Sequence, residues 1–145
     1  MSILSNVLSK LFGGNKYEKD IKAITPIVEQ VKAEYAKLTG LTNDQLRGKS
    51  VEFKQRIKAH LTEIDAEIAA LRAEADNPEL TDVDRKDEIY KEIDTLRKDR
   101  DKKIEEVLLE ILPEAFAVMK ETARRFTVND KVVSTATQMD RDLSV

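Results

Sequence analysis

Apolar positions along the chain recur at steps of three and four residues, the period of a helix face. The clearest run is Phe53, Ile57, Leu61, Ile64, Ile68, Leu71 and Ala75, the a/d seam of a coiled coil. A second run follows at Ile89, Ile93, Leu96, Ile104, Val107 and Ile111, interrupted at Arg100. Between them stands Asp76-Asn77-Pro78-Glu79. Pro78 has no amide donor and clashes with a preceding helical turn, so the first arm is expected to end near Asp76. Thr81 or Asp82 then caps the second arm, with Asp84 three residues after Thr81 as in a capping box. Folded back antiparallel about Asn77-Pro78, the arms bring together positions whose residue numbers have a constant sum. Ile68 faces Ile89, Ile64 faces Ile93, Leu61 faces Leu96, Ile57 faces Arg100, Phe53 faces Ile104 and Leu46 faces Ile111. The pattern predicts a two-helix hairpin of fixed register, with arms of about 30 residues and roughly 45 Å. Glu52 with Arg56, Asp87 with Lys91, Asp94 with Lys98 and Asp99 with Lys103 are spaced for pairing on the outer faces. Such pairs are worth only about 0.2–0.5 kcal/mol each, so the apolar seam has to hold the arms together. A projecting hairpin of this kind is a spacer, a lever or a docking surface.

Upstream, Ile3, Leu4, Val7, Leu8, Leu11 and Phe12 form one apolar face opposite Ser2, Ser5, Asn6, Ser9 and Lys10, and Gly13-Gly14 supplies a hinge. The apolar residues are periodic rather than continuous and no basic region leads them, so the stretch does not read as a signal peptide. So short a helix is marginal alone in water. It either packs on its own domain or serves as an interfacial anchor, with the amino terminus and Lys10 near anionic headgroups. From Lys16 to Leu38 the stripe Tyr17, Ile21, Ile24, Val28, Val31, Tyr35 and Leu38 predicts a longer helix. Pro26 lies inside it with Thr25 before it as a cap, which predicts a kink or a fresh start there. Gly40 closes that helix. Thr42 with Gln45 forms a capping box and Leu41 with Leu46 a hydrophobic staple at the start of the next one.

Composition narrows the chemistry. The 145 residues are 41% hydrophobic and 37% charged, which suits one helical domain or part of one and is too polar for a thick core. Acidic and basic residues interleave to a net charge of -3, which argues against nucleic acid as a partner. The absence of cysteine removes disulfides, thiol nucleophiles and thiolate metal sites, and suits a reducing compartment. No stretch approaches the roughly 20 apolar residues of a membrane span. His60, the only histidine, reads as a surface residue of a helix flank without a metal-ligand partner. The abundant carboxylates read as helix-surface charges. Arg124-Arg125 admits two readings, an approach to an acidic partner or a nucleotide-domain surface, or a basic last turn that complements the helix dipole. Past Thr127, Val128-Asn129-Asp130-Lys131-Val132 predicts a turn between two short extended pieces, and Gln138 to Val145 reads as a solvated tail or as the start of something missing.

Two blocks carry a specific resemblance. Leu41 to Ile57, LTNDQLRGKSVEFKQRI, and Leu112 to Phe126, LPEAFAVMKETARRF, resemble in that order two stretches near the start of SecA, the ATP-driven motor of bacterial preprotein translocation. The family's blocks are usually close together, so the hairpin from about Lys58 to Ile111 looks like a lineage-specific insertion of Bacteroidetes type. The family's adenine-reading, phosphate-binding and magnesium motifs lie beyond the second block, and no G-x-x-x-x-G-K-[ST] occurs in this sequence. Gly48-Lys49-Ser50 matches only its last three letters and falls in a predicted helix, so it reads as coincidence.

The expected fold is therefore all-α. Residues 1–14 form an amphipathic helix and hinge, and 15–57 are SecA-like helices. Residues 58–111 are the inserted hairpin, whose arms begin near 43 and end near 111. Residues 112–126 form a lead-in helix toward a nucleotide-binding domain, and 127–145 an extended or disordered tail. No catalytic, nucleotide or metal residue is assigned to this chain, ATP and Mg2+ being implied only for the full-length family. The resemblance implies contacts with the SecYEG channel, an acidic phospholipid surface, the rest of the motor and a second copy. It also implies a cytoplasmic protein peripheral to the inner face of the plasma membrane. The partner-binding residues expected are Ile3, Leu4, Val7, Leu8, Lys10, Leu11 and Phe12, and the seam residues Phe53, Ile57, Leu61, Ile64, Ile68, Ile89, Ile93, Leu96 and Ile104. The alternative is a stand-alone coiled-coil scaffold, a truncated paralogue without ATPase activity.

Overall fold

The Thr42 hydroxyl accepts from the Gln45 amide at 3.2 Å while the Gln45 side chain accepts from the Thr42 amide at 2.8 Å. This reciprocal cap starts a 34-residue helix where the sequence placed it. The computed structural model of the protein describes residues 16–77, 79 and 82–144, with the side chain of residue 16 outside that set. Among them the elements are α1 (Lys16–Ala36), α2 (Asn43–Asp76), α3 (Val83–Val128) and α4 (Gln138–Asp142), and no strand occurs. The all-α expectation holds. Contacts group the chain into two units, one of residues up to Leu41 with Pro113–Val132, the other Thr42–Leu112 with residues from Val133 onward.

In the second unit α2 ends at Asp76, before Pro78, and Asn77 accepts from the Glu79 amide at 3.0 Å in a local turn. Of the two candidate caps, Asp82 accepts from the Arg85 amide at 2.7 Å and begins α3. Thr81 lies outside the described residues. Leu61, Ile64, Ile68, Ala75, Ile89 and Ile93 are buried together, with Ile57, Leu71, Leu96 and Ile104 packed against them. The hydrophobic faces of α2 and of the first part of α3 thus bury each other. Leu46, Val107 and Ile111 are also buried, and Phe53 is half-buried.

Of the predicted i,i+4 pairs on the hairpin, Asp87 and Lys91 meet at 2.6 Å. Glu52 pairs with Lys49, Asp94 with Arg97 and Asp99 with Lys102, each at i,i+3. Arg56 reaches across to Glu110 at 2.7 Å, and Arg85 across to Glu74 at 2.8 Å. In these two pairs a long side chain of one arm reaches the other.

In the first unit α1 runs through Pro26 as one helix, so of the two outcomes expected there the fresh start does not occur. Thr25 does not cap. Its hydroxyl donates to the Ile21 carbonyl at 2.7 Å, one turn back, and the surrounding segment is exposed, so water can serve the carbonyl that Pro26 leaves without an amide. Pro113 likewise lies inside α3 without ending it. The second hairpin arm and the expected lead-in helix are therefore one helix of 46 residues.

Two expectations at the far end are corrected. Val128 closes α3 instead of opening an extended piece, and Asn129 caps it by donating from Nδ2 to the Arg125 carbonyl at 2.9 Å. Gln138 to Asp142 is a short helix where a solvated tail was expected. The reason is a Thr137-x-x-Asp140 capping box that the sequence reading passed over.

Candidate functional site

The partner-binding face Ile3, Leu4, Val7, Leu8, Lys10, Leu11 and Phe12 lies outside the described residues. Of the seam residues, Leu61, Ile64, Ile68, Ile89 and Ile93 are buried, and Ile57, Leu96 and Ile104 are packed on them. Arg100, which interrupts the seam, turns its guanidinium sideways to Asp65, with Nε at 2.5 Å from Oδ1. That hydrogen bond holds the Asp65 carboxyl below its ordinary range. His60 sits on the flank with Nε2 3.8 Å from Glu106. Gly48, Lys49 and Ser50 lie within α2. Lys49 binds Glu52 at 2.8 Å and Ser50 donates to the Arg47 carbonyl at 2.7 Å, so the local amides point along a helix and not into a phosphate cradle.

Two polar clusters went unread in the sequence, one in each unit. In the first unit the chain leaves α1 through tight turns, and the carbonyls of Leu38 and Leu41 come to face Arg125. Arg125 donates from Nη2 to Leu41 at 2.7 Å and to Leu38 at 3.4 Å, which ties the turns after α1 to α3. One turn earlier Glu121, fully buried, accepts from Arg125 Nε at 2.9 Å. Glu121 also takes two bonds from Arg124, at 2.7 and 2.9 Å. The Arg124 bonds come first among the causes that hold the Glu121 carboxyl down at about 2, against the opposing push of burial, with Arg125 and Tyr35 adding to them. Lys120 lies 4.7 Å from the centroid of the Tyr35 ring. Arg124 and Arg125 therefore turn to an acid on their own helix. The signal was present, because a Glu followed by Arg at +3 and +4 places all three on one helix face.

In the second unit the first turn of α2 holds the segment after Val133. Asn43 donates to the Val133 carbonyl at 2.7 Å, and Asp44 accepts from the Thr135 amide and hydroxyl, both at 2.7 Å. Arg47 grips both oxygens of Asp140 at 2.7 and 3.0 Å. The backbone amide of Thr137, then Arg47, hold the Asp140 carboxyl at about 2. The hydroxyl of Thr135 lowers Asp44 in the same way. No sequence period links residues some ninety positions apart, so this clamp was not legible.

These clusters position helices. Among the described residues no group of three or more His, Cys, Asp or Glu is placed to hold a metal ion, and no helix is long and apolar enough to cross a membrane.

Comparison with known proteins gives the chain its relatives. The profile of the SecA DEAD-like domain matches residues 8–139. The protein translocase subunit SecA of Parabacteroides distasonis is 46% identical over 137 residues, which is 94% of this chain and 12% of that protein. The subunit of Flavobacterium psychrophilum is 44% identical over 144 residues, 99% of this chain and 13% of that protein. That of Porphyromonas gingivalis is 41% identical over 138 residues, 95% of this chain and 12% of that protein. The chain spans 12–13% of the length of the curated relatives it matches. No solved structure matches it.

Proposed function

The chain belongs to the SecA family of protein translocase subunits, and on that premise we propose that it supplies contacts rather than chemistry to ATP-driven preprotein export. The observation that carries this reading is the pairing of near-complete coverage of this chain with a small share of each relative. The nucleotide chemistry of the family then resides in other parts of the motor. In support, the sequence has no phosphate-binding loop of the G-x-x-x-x-G-K-[ST] form, and its described polar clusters hold helices together.

In this reading the face of Ile3, Leu4, Val7, Leu8, Leu11 and Phe12, with Lys10 beside it, meets acidic phospholipid and the SecYEG channel at the cytoplasmic side of the membrane. The hairpin presents a rigid arm to a partner or to a second copy. Sedimentation with anionic vesicles tests the membrane contact. Wild type is expected to co-sediment and Leu8→Asp to stay in solution with unchanged helicity; failure of wild type to sediment ends the anchor reading. Saturable micromolar ATP binding by this chain would end the contact-only reading.

A further inference from the structure

One side of the hairpin gathers guanidiniums. A groove of about 690 Å3 is lined there by Arg72 of α2 and by Arg97 and Arg100 of α3. Ile68, Ala69 and Ala73 form its apolar wall, and the two alanines leave the space between the longer side chains open. Its α2 side runs from Asp65 to Asp76, roughly 16 Å or three helical turns. The guanidiniums are held loosely or not at all. Arg72 is exposed and makes no hydrogen bond or ion pair among the described residues. Arg97 pairs with Asp94 at 3.1 Å, both side chains more than half exposed, and Arg100 pairs with Asp65. Exposed pairs of this kind are worth about 0–1 kcal/mol, so an incoming carboxylate can replace the present partner at little cost. The other side of α2 is opposite in charge, since Glu63, Glu67 and Glu74 follow His60 at helix spacing.

We propose that this groove seats an acidic segment of a partner polypeptide, with its carboxylates on Arg72, Arg97 and Arg100 and a small apolar side chain against Ile68, Ala69 and Ala73. The proposal names the partner chemistry of the rigid arm and rests on the contact-making reading of the chain. The planar fork of an arginine matches a carboxylate with two parallel hydrogen bonds, so three guanidiniums around one groove select that group. Asp65 and Asp76 stand among them, and the glutamates lie on the other side of the same arm. A dense polyanion, such as a nucleic acid or an anionic lipid surface, meets repulsion there that a peptide with spaced carboxylates avoids. A second copy of the chain would have to offer its glutamate side to this groove, a contact between unlike surfaces that does not close on itself.

Fluorescence anisotropy with the whole chain tests the seat. The probe is a fluorescein-labelled helical peptide of about four turns, with Glu on both flanks of an Ala stripe. Wild type is expected to bind it saturably below about 1 mM, and more weakly as salt rises. Arg72→Ala with Arg97→Ala is expected to weaken binding on the order of ten-fold. Lys91→Ala with Lys103→Ala removes the same charge outside the groove and is expected to leave binding within about two-fold. Arg72→Lys with Arg97→Lys keeps the charge and loses the fork, and is expected to fall between wild type and the arginine-to-alanine pair. Arg72 and Arg97 are exposed, so helicity is expected to stay; should the alanine pair lose it, the lysine pair carries the comparison. Equal weakening by the two alanine pairs would reduce the effect to net charge and overturn the proposal. No binding by wild type, undiminished binding of a peptide with Gln in place of Glu, or a lysine pair that binds like wild type would overturn it as well. A wild-type mass that rises with concentration in sedimentation, and does not for Arg72→Ala with Arg97→Ala, would overturn it by making a second copy the occupant. Absence of peptide binding together with absence of ATP binding would sink the seat alone and leave the contact-making reading standing.

Discussion

Glu121 is where one side chain decides most. Its carboxylate is fully buried and binds Arg124 and Arg125, and Arg125 in turn binds the carbonyls of Leu38 and Leu41 in the turns after α1. Removing the acid takes this carboxylate away from a largely buried guanidinium, and breaking a buried ion pair from one side is costly. Glu121→Ala is expected to cost about 3 kcal/mol in urea unfolding, whereas Glu88→Ala on the solvated face should cost less than about 0.5. The sign of the pH dependence follows from the lowered carboxyl. A folded-state value of about 2, below the ordinary carboxylate value, means that the contribution is present in full above that ordinary value and is lost as pH falls toward about 2. Asp140, also held at about 2, adds a loss over the same window. Thermal melts between pH 6 and about 2 should therefore fall steeply for wild type and more gently for Glu121→Gln with Asp140→Asn. Parallel curves would show that neither carboxylate is set by its partners.

For the helices, the sequence was legible wherever a local rule or a short period sufficed. The Thr42–Gln45 box and the stop at Asp76 required only local rules, and both stand in the structure, while residues of both Ile and Leu runs are buried in one cluster. Pro26 and Pro113 each remove one hydrogen bond, yet both helices continue through them, the flanking turns being intact. Pro26→Ala is expected to stabilise α1, by up to about 3 kcal/mol, visible as slower amide exchange between Lys22 and Glu29. At the seam, Ile64→Asp and Ile93→Asp should each open the hairpin by burying an unpaired charge, with a loss of about 3 kcal/mol or more. Equal melting of these variants and wild type would mean that the arms do not depend on their shared core. The clamp of Asn43, Asp44 and Arg47 on residues 133–140 was invisible in the sequence because it joins distant positions through polar groups on exposed surface. Such a contact is weak, and Arg47→Ala is expected to expose the segment after Val133 to limited proteolysis while leaving the hairpin core protected.

Taken whole, the chain is rich in devices that fix helices and bare on several faces. Phe116, Met119 and Phe126 of α3 are exposed in the same way as the early stripe of α1. Bare apolar faces suit a part whose surfaces are completed by other polypeptide or by lipid, and the family relationship supplies that setting. The central claim, that these residues act as a contact-making part of a larger translocase motor, is open to one direct measurement. An antibody against the hairpin, used on lysate of the source cell, reports the size of the native gene product. The account predicts a band several times heavier than the 16.5 kDa of these 145 residues. A band at 16.5 kDa would contradict it and make the chain a stand-alone coiled-coil protein.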